Sequence, residues 1–380
     1  MRRRITIILP DLNIGGAERV SVDLSRQFLQ SGYDVDFALM NKFGEFLQDV
    51  PLGAQVVDLK VRQLRNLVAP LARYLKMRRP DAVLVNLWPL TAATVLVARA
   101  IGSGGTRVVT VDHATLSIQY RNWGLLNWLA LRASLGAIYP LAHARVAVSV
   151  GVAEDISRLG CFQLKPIEVV NNPVTLADAS PKDREDAERA WEGWTGPRII
   201  SVGKLKRVKN HALLIKAFKQ VVIHADARML ILGDGELRAA TEQIVRDEGL
   251  SGKVLLPGSR RKPRALYESA DLFVLSSDSE GLGNVLIEAL ACGLPVVSTD
   301  CRSGPREILD NGRYGALTPV GDADALARAM LDSLSKTHDR DALRRRAADF
   351  SPEIAAEKYL RILFPDEHGA PPKREIVCAA

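Results

Sequence analysis

Short apolar runs alternate with helix-patterned stretches along almost the whole chain, and this alternation limits the fold more than any other feature. In the first half the runs are Ile5–Leu9, Val35–Leu39, Val56–Leu59, Ala82–Asn86, Val108–Val111, Arg145–Ser149 and Ile167–Val170. In the second half they are Arg198–Val202, Arg228–Leu232, Val254–Pro257, Leu272–Ser276 and Pro295–Ser298. Strands that are apolar throughout, with a helix between each pair, belong in parallel sheets covered on both faces. The predicted class is α/β, two Rossmann-like domains facing a cleft. At 380 residues the chain is long enough for two cores. Asn171-Asn172-Pro173 reads as the hinge, because Pro173 restricts Asn172 and ends the strand before it. The boundaries expected are residues 1–172 for the first domain, 173–350 for the second, a last helix over 351–364, and a disordered tail over 365–380.

No apolar run approaches the ~18 residues that would span a bilayer. Met1-Arg2-Arg3-Arg4 is basic, but Ile5–Leu9 runs into Pro10 and is too short for a secretion signal, so it reads as the first buried strand. The four cysteines are scattered singly, which suggests neither a disulfide framework nor a zinc site, and a reducing cytoplasm is the default. Residues 1–180 hold 20 Lys and Arg against 14 Asp and Glu, a net of +6, whereas the remainder holds 31 against 30. An excess confined to the first half suggests that this half meets something anionic.

Ser276–Glu288 reads SSDSEGLGNVLIE. A buried strand leads into an acidic, glycine-rich turn and then an apolar helix running from Val285 to Leu294. Such a turn aims backbone N–H groups and the positive helix end at an anion. Glu280, just before the turn, suits the hydroxyls of a group attached to that anion. Glu288, two helical turns later, suits a second polyol such as ribose. Together they describe a site for a sugar nucleotide.

This E-x7-E segment, followed by Ala289-Leu290-Ala291-Cys292-Gly293-Leu294-Pro295, resembles the retaining GT-B glycosyltransferases of family 4. So do Gly15-Gly16-Ala17-Glu18-Arg19, Val202-Gly203-Lys204-Leu205 with Lys209-Asn210, and Gly233-Asp234-Gly235-Glu236. The four motifs occur in family order between about Ile5 and Leu363. The resemblance implies transfer of a sugar, with retention of configuration, from a nucleotide-diphosphate donor, UDP favoured, to a glycan or polyprenyl-diphosphate-linked acceptor. That activity belongs to cell-surface polysaccharide or glycan biosynthesis.

Residue by residue, the resemblance makes Glu280 and His113 the catalytic pair at the donor sugar. Lys204 and Lys209 neutralise the diphosphate, and Lys204 stands where the family usually has arginine. Gly15 and Gly16 let backbone approach the diphosphate, Leu282, Gly283 and Asn284 offer main-chain donors to it, Gly258 and Arg260 lie at the base, and Glu288 binds ribose. Lys206 and Arg207 read as solvated neighbours. No cofactor is expected, and no metal, since the two lysines take the role a divalent ion has elsewhere.

Between Arg62 and Arg79 an apolar stripe of Leu64, Leu67, Val68, Leu71 and Leu75 accompanies a basic one of Arg62, Arg65, Arg73 and Lys76 within a wedge of roughly 80°. That pattern suits either a sheet-covering helix with a solvated face or a contact with an anionic membrane or a lipid diphosphate. Trp123–Leu129 is a second candidate membrane contact, and packing against the first domain explains it equally well. The expected location is cytoplasmic, with peripheral contact at the inner membrane face. Two alternatives remain in the sequence. One is a non-hydrolysing UDP-sugar epimerase on the same fold, which needs more acid/base residues than the motifs supply. The other is a basic nucleic-acid-binding protein without catalysis. The even charge of the second half and the lack of basic-aromatic stacking motifs argue against nucleic acid as a partner.

Overall fold

The computed structural model describes residues 2–102, 105–160 and 166–369. It divides into two compact units, with boundaries after Pro173 and after Phe350, and the chain from Ser351 onward returns to the first unit.

The first unit is built on β1 (Arg4–Leu9), β2 (Asp34–Leu39), β3 (Gln55–Asp58), β4 (Ala82–Asn86), β5 (Arg107–Asp112), β6 (Ala144–Ala147) and β7 (Glu168–Val169). All pair in parallel, in the order β3-β2-β1-β4-β5-β6-β7. Ile5, Ile7, Ile8 and Leu9 are wholly buried, as expected of a central strand covered on both sides. The strand order reverses between β1 and β4, so the C-terminal ends of these strands are where such a sheet binds ligands.

The returning helix Pro352–Leu363 packs along the helix Gly16–Gln30, where Gln27 Nε2 donates to Glu353 at 3.1 Å. Arg107 Nε holds the carbonyl of Ile362 at 2.7 Å. A further turn, Pro365–His368, follows where low apolar content predicted disorder. Tyr33 anchors it, stacking on Phe364 at 5.0 Å and donating its hydroxyl to Glu367 at 2.9 Å. The rest of the predicted tail, 370–380, lies outside the described residues.

The second unit holds β8 (Arg198–Val202), β9 (Arg228–Leu232), β10 (Val254–Leu255), β11 (Leu272–Leu275), β12 (Val296–Thr299) and β13 (Ala316–Thr318), again all parallel, in the order β10-β9-β8-β11-β12-β13. Leu214, Phe218, Met229, Ile231, Leu272, Val274 and Met330 fill the space between the sheet and the helices on one face. The sequence pattern did not reveal β13, whose three residues offer too short an apolar run. The helical pattern over Glu185–Trp194 also starts the first helix of this unit too late. That helix is Pro181–Ala190, started by a reciprocal cap between Ser180 and Asp183. Both units have the parallel, helix-covered sheet predicted from the alternation.

Candidate active site

In the second unit the strand order reverses between β8 and β11, and the loops beyond these two strands are stitched together. Asp278 N–H donates to the carbonyl of Val208 at 2.8 Å, and Ser276 Oγ to the carbonyl of Lys209 at 2.9 Å. Asn210 Nδ2 donates to Asp278 Oδ1 at 2.7 Å while its Oδ1 caps the helix His211–His224. Thr299, at the end of β12, donates to the carbonyl of Ser277 at 2.6 Å. The loops that carry the motifs are therefore one braced surface.

On that surface Lys209 Nζ lies 2.5 Å from Glu280 Oε1, with side chains 16% and 10% exposed. Ser277 Oγ donates to the same carboxylate oxygen at 2.6 Å. Lys206 is exposed nearby, within electrostatic reach of Lys209, Glu280, Lys204 and Glu236, and Lys204 is exposed too. The helix Asn284–Ala291 begins just past Glu280, with Gly283 at φ +94°, ψ 51°. A left-handed residue there favours glycine. Leu282, Gly283 and Asn284 thus occupy the helix start, where the first N–H groups have no intrahelical acceptor. Two turns on, Glu288 Oε2 accepts from the buried Tyr267 hydroxyl at 2.8 Å. Burial and this carboxylate both raise the Tyr267 pKa, which keeps the phenol a donor.

Glycine is required where these loops touch. A β-carbon at Gly304 would collide with the Leu282 carbonyl, and one at Gly233 with the Gly203 carbonyl. Gly258 is buried against Asp234, and Arg260 stays exposed beyond it. Tyr267 and Ser277 are the contributors that sequence reasoning missed. Ser277 lies inside the acidic motif, so proximity pointed to it; nothing in the sequence pointed to Tyr267.

Two further candidates lie at the C-terminal edge of the first unit's sheet. His113 follows β5, and its Nε2 lies 2.9 Å from Asn86 Oδ1 at the end of β4. With that oxygen accepting, the ring carries its proton on Nε2. Burial lowers the His113 pKa to about 4, so the imidazole is neutral. Beside it, burial raises the Asp112 carboxyl to about 7, although Tyr139 donates to it at 2.9 Å. Gly15 and Gly16 lie at the start of the Gly16–Gln30 helix. Gly15 is extended, and the space its missing β-carbon leaves is taken by the Glu18 carboxylate.

The basic stripe does not survive as one helix face. Leu64–Asn66 forms a separate 3-10 turn, and the helix begins only at Val68. Arg62 and Arg65 thus lie in the loop beyond β3. Arg73 and Lys76 lie on the helix Val68–Arg78, which runs down toward the opposite sheet edge, where Arg78 pairs with Asp36 at 2.8 Å. All four cations are exposed. Leu67, Leu71 and Leu75 face the core as predicted, but Val68 is 59% exposed. The first turn of the helix points Val68 outward because the chain enters from the 3-10 turn rather than along a continuous helix.

Two family models account for most of the chain: Glycosyltransferase Family 4 matches residues 14–178, and Glycosyl transferases group 1 matches residues 184–350. The chain belongs to the family 4, group 1 glycosyltransferases. A Campylobacter jejuni relative is 28% identical over 94% of this chain and 99% of its own length; it is named N-acetylgalactosamine-N,N'-diacetylbacillosaminyl-diphospho-undecaprenol 4-alpha-N-acetylgalactosaminyltransferase. The lipopolysaccharide core biosynthesis glycosyltransferase LpsE of Rhizobium meliloti is 26% identical over 92% of this chain and 96% of its own. Among solved structures, Anabaena Alr3699/HepE in complex with UDP and glucose aligns at a TM-score of 0.78 and 18% identity, covering 95% of this chain and 99% of that one. The fold of this glycosyltransferase is GT-B, two Rossmann-like domains. Among its described residues no group of three His, Cys, Asp or Glu is placed to hold a metal ion, and no helix is long and apolar enough to cross a membrane.

Proposed function

We propose that this glycosyltransferase moves a hexosyl or N-acetylhexosaminyl group, with retention, from a UDP-sugar to a lipid-linked glycan acceptor, without a metal ion. The observation that carries this reading is the Lys209–Glu280 pair beside the start of the Asn284 helix. Lys209 and Glu280 satisfy each other at 2.5 Å, and a sugar diphosphate supplies each with a new partner. Phosphate oxygens take Lys209, together with Lys204 and the helix start. Sugar hydroxyls take Glu280, whose charge then faces the positive charge that develops as the glycosidic bond breaks. Glu288, held by Tyr267, receives the ribose.

The acceptor hydroxyl attacks on the face the diphosphate leaves. Its proton passes to the departing diphosphate oxygen, so no protein base is needed. The family resemblance assigns neutral His113, whose Nε2 lies against Asn86, to the donor sugar. The UDP in the Anabaena complex and the diphospho-undecaprenol substrate in the Campylobacter relative's name support the donor and acceptor classes. The test is a panel of UDP- and GDP-sugars offered with a polyprenyl-diphosphate-linked saccharide extract in EDTA. The reading expects one UDP-sugar to release UDP at an acceptor-stimulated rate. Release only on addition of Mn²⁺, or from GDP-sugars alone, contradicts it.

A further inference from the structure

The segment after β5 exposes more apolar surface than the fold uses. The helix Leu125–Ala133 buries only Leu131. Leu125 is 72% exposed, Leu126 83% and Leu129 51%. At 100° per residue these three leucines share a wedge of about 100°, on the side opposite Leu131. Trp123, just before the helix, is half-exposed. Its ring is fixed by contacts with Tyr120 at 4.4 Å and Trp88 at 5.8 Å, both nearly buried. Contiguous exposed leucines with a fixed tryptophan mark an interaction surface rather than scattered surface apolars.

Charge identifies the occupant. No Asp or Glu lies between Asp112 and Glu154, and Arg121 and Arg132 flank the leucines. Likewise no acid lies between Asp58 and Asp81, and Lys60, Arg62 and Arg65 stand exposed in the loop beyond β3. Trp88 and the β3 loop both follow strand C-termini, so the apolar helix and these cations border the same sheet edge. β3 and β5 are four strand spacings apart, roughly 19 Å. A flat anionic surface reaches both; a compact protein partner of unspecified charge has no reason to match this pattern.

We propose that the helix Leu125–Ala133 inserts Leu125, Leu126 and Leu129 into the interface of an anionic bilayer, with Trp123 at headgroup level and Arg62, Arg65 and Arg121 on the lipid phosphates. The helix lies in the membrane plane and does not span it. Insertion brings the edge that carries His113 to the lipid surface. This deepens the reading of a lipid-linked acceptor and rests on it for its purpose, but the contact is testable alone.

The full-length protein is sedimented with vesicles of phosphatidylcholine containing phosphatidylglycerol, at low and high salt, beside the variant Leu125→Ser/Leu126→Ser/Leu129→Ser. The three side chains are exposed, so the variant is expected to keep the wild-type melting profile and UDP affinity. The wild type should bind, with a blue shift of Trp fluorescence absent from Trp123→Phe. The leucine variant should bind at least about tenfold more weakly at high salt, where the cations are screened. Arg121→Glu with Arg65→Glu should lose mainly the salt-sensitive part. Equal binding by the leucine variant, or no wild-type binding, overturns the proposal. So does a wild-type dimer that the leucine variant converts to monomer without changing vesicle binding, since the face then joins two copies of the chain. Failure of both proteins to bind UDP, with the vesicle result intact, sinks the proposed function instead.

Discussion

Replacing Glu280 by glutamine separates two roles of one carboxylate. Its Oε1 sits between Lys209 Nζ at 2.5 Å and Ser277 Oγ at 2.6 Å. The amide keeps the shape and can still accept from Ser277. It loses the charge beside Lys209 and, during transfer, the charge beside the sugar. Removing a preorganised stabilising group typically slows turnover by about 100-fold, ~2.7 kcal/mol of barrier. UDP binding is expected to move the other way, because phosphate no longer competes with Glu280 for Lys209. A hydrogen bond to a charged partner is worth ~1.5–3 kcal/mol. If about half of that becomes available to phosphate, UDP binds roughly three- to tenfold more tightly. Calorimetric titration with UDP and initial rates of UDP release measure the two effects on one preparation. Turnover near the wild-type rate refutes the catalytic assignment. Loss of UDP affinity alongside turnover refutes the competition between phosphate and Glu280.

Lys209→Ala is expected to weaken UDP binding and slow turnover together, and EDTA to leave the wild type unchanged; activity restored to an EDTA-treated enzyme by Mn²⁺ speaks against the two-lysine account. Tyr267→Phe removes the donor that holds Glu288 and should raise the donor KM several-fold with little change in kcat; an unchanged KM means the ribose carboxylate needs no such support. Asp112→Asn should stabilise the protein at neutral pH. The folded carboxyl titrates at about 7 rather than 3.8, so the wild type loses stability as pH rises through that window, by up to about 4 kcal/mol. The melting-temperature gain of the variant should be large at pH 8 and vanish near pH 4; a pH-independent gain rejects the titration. Reversing Arg62 and Arg65 should weaken vesicle binding more than reversing Arg73 and Lys76, which lie lower on the helix; equal effects restore a single basic stripe.

The parallel sheets were legible because buried parallel strands are apolar on both faces, as in Ile5–Leu9 and Leu272–Leu275. The acidic turn and the helix after it were legible because their residues are consecutive in the chain. Contacts between distant segments were not. Tyr267 reaches Glu288 from a short helix with no spacing signal, and Asn86 meets His113 only because β4 and β5 are neighbours in the sheet. The basic stripe was misread because helical periodicity from Leu64 to Leu75 looks continuous on a wheel, whereas the chain inserts a 3-10 turn before Val68. At Gly15 the pattern pointed to a ligand, and the structure adds a local reason for glycine, the Glu18 carboxylate lying over it. The leucines of 125–129 were visible as apolar in the sequence, but only the fold shows that nothing within the described part of their unit covers them.

The most direct test of the central claim is proton NMR of a complete reaction in EDTA, with the UDP-sugar selected by the donor panel and its saccharide acceptor. UDP and a product whose new linkage keeps the donor's anomeric configuration should form, and only when acceptor is present. An inverted linkage, or an epimerised UDP-sugar formed without acceptor, contradicts it.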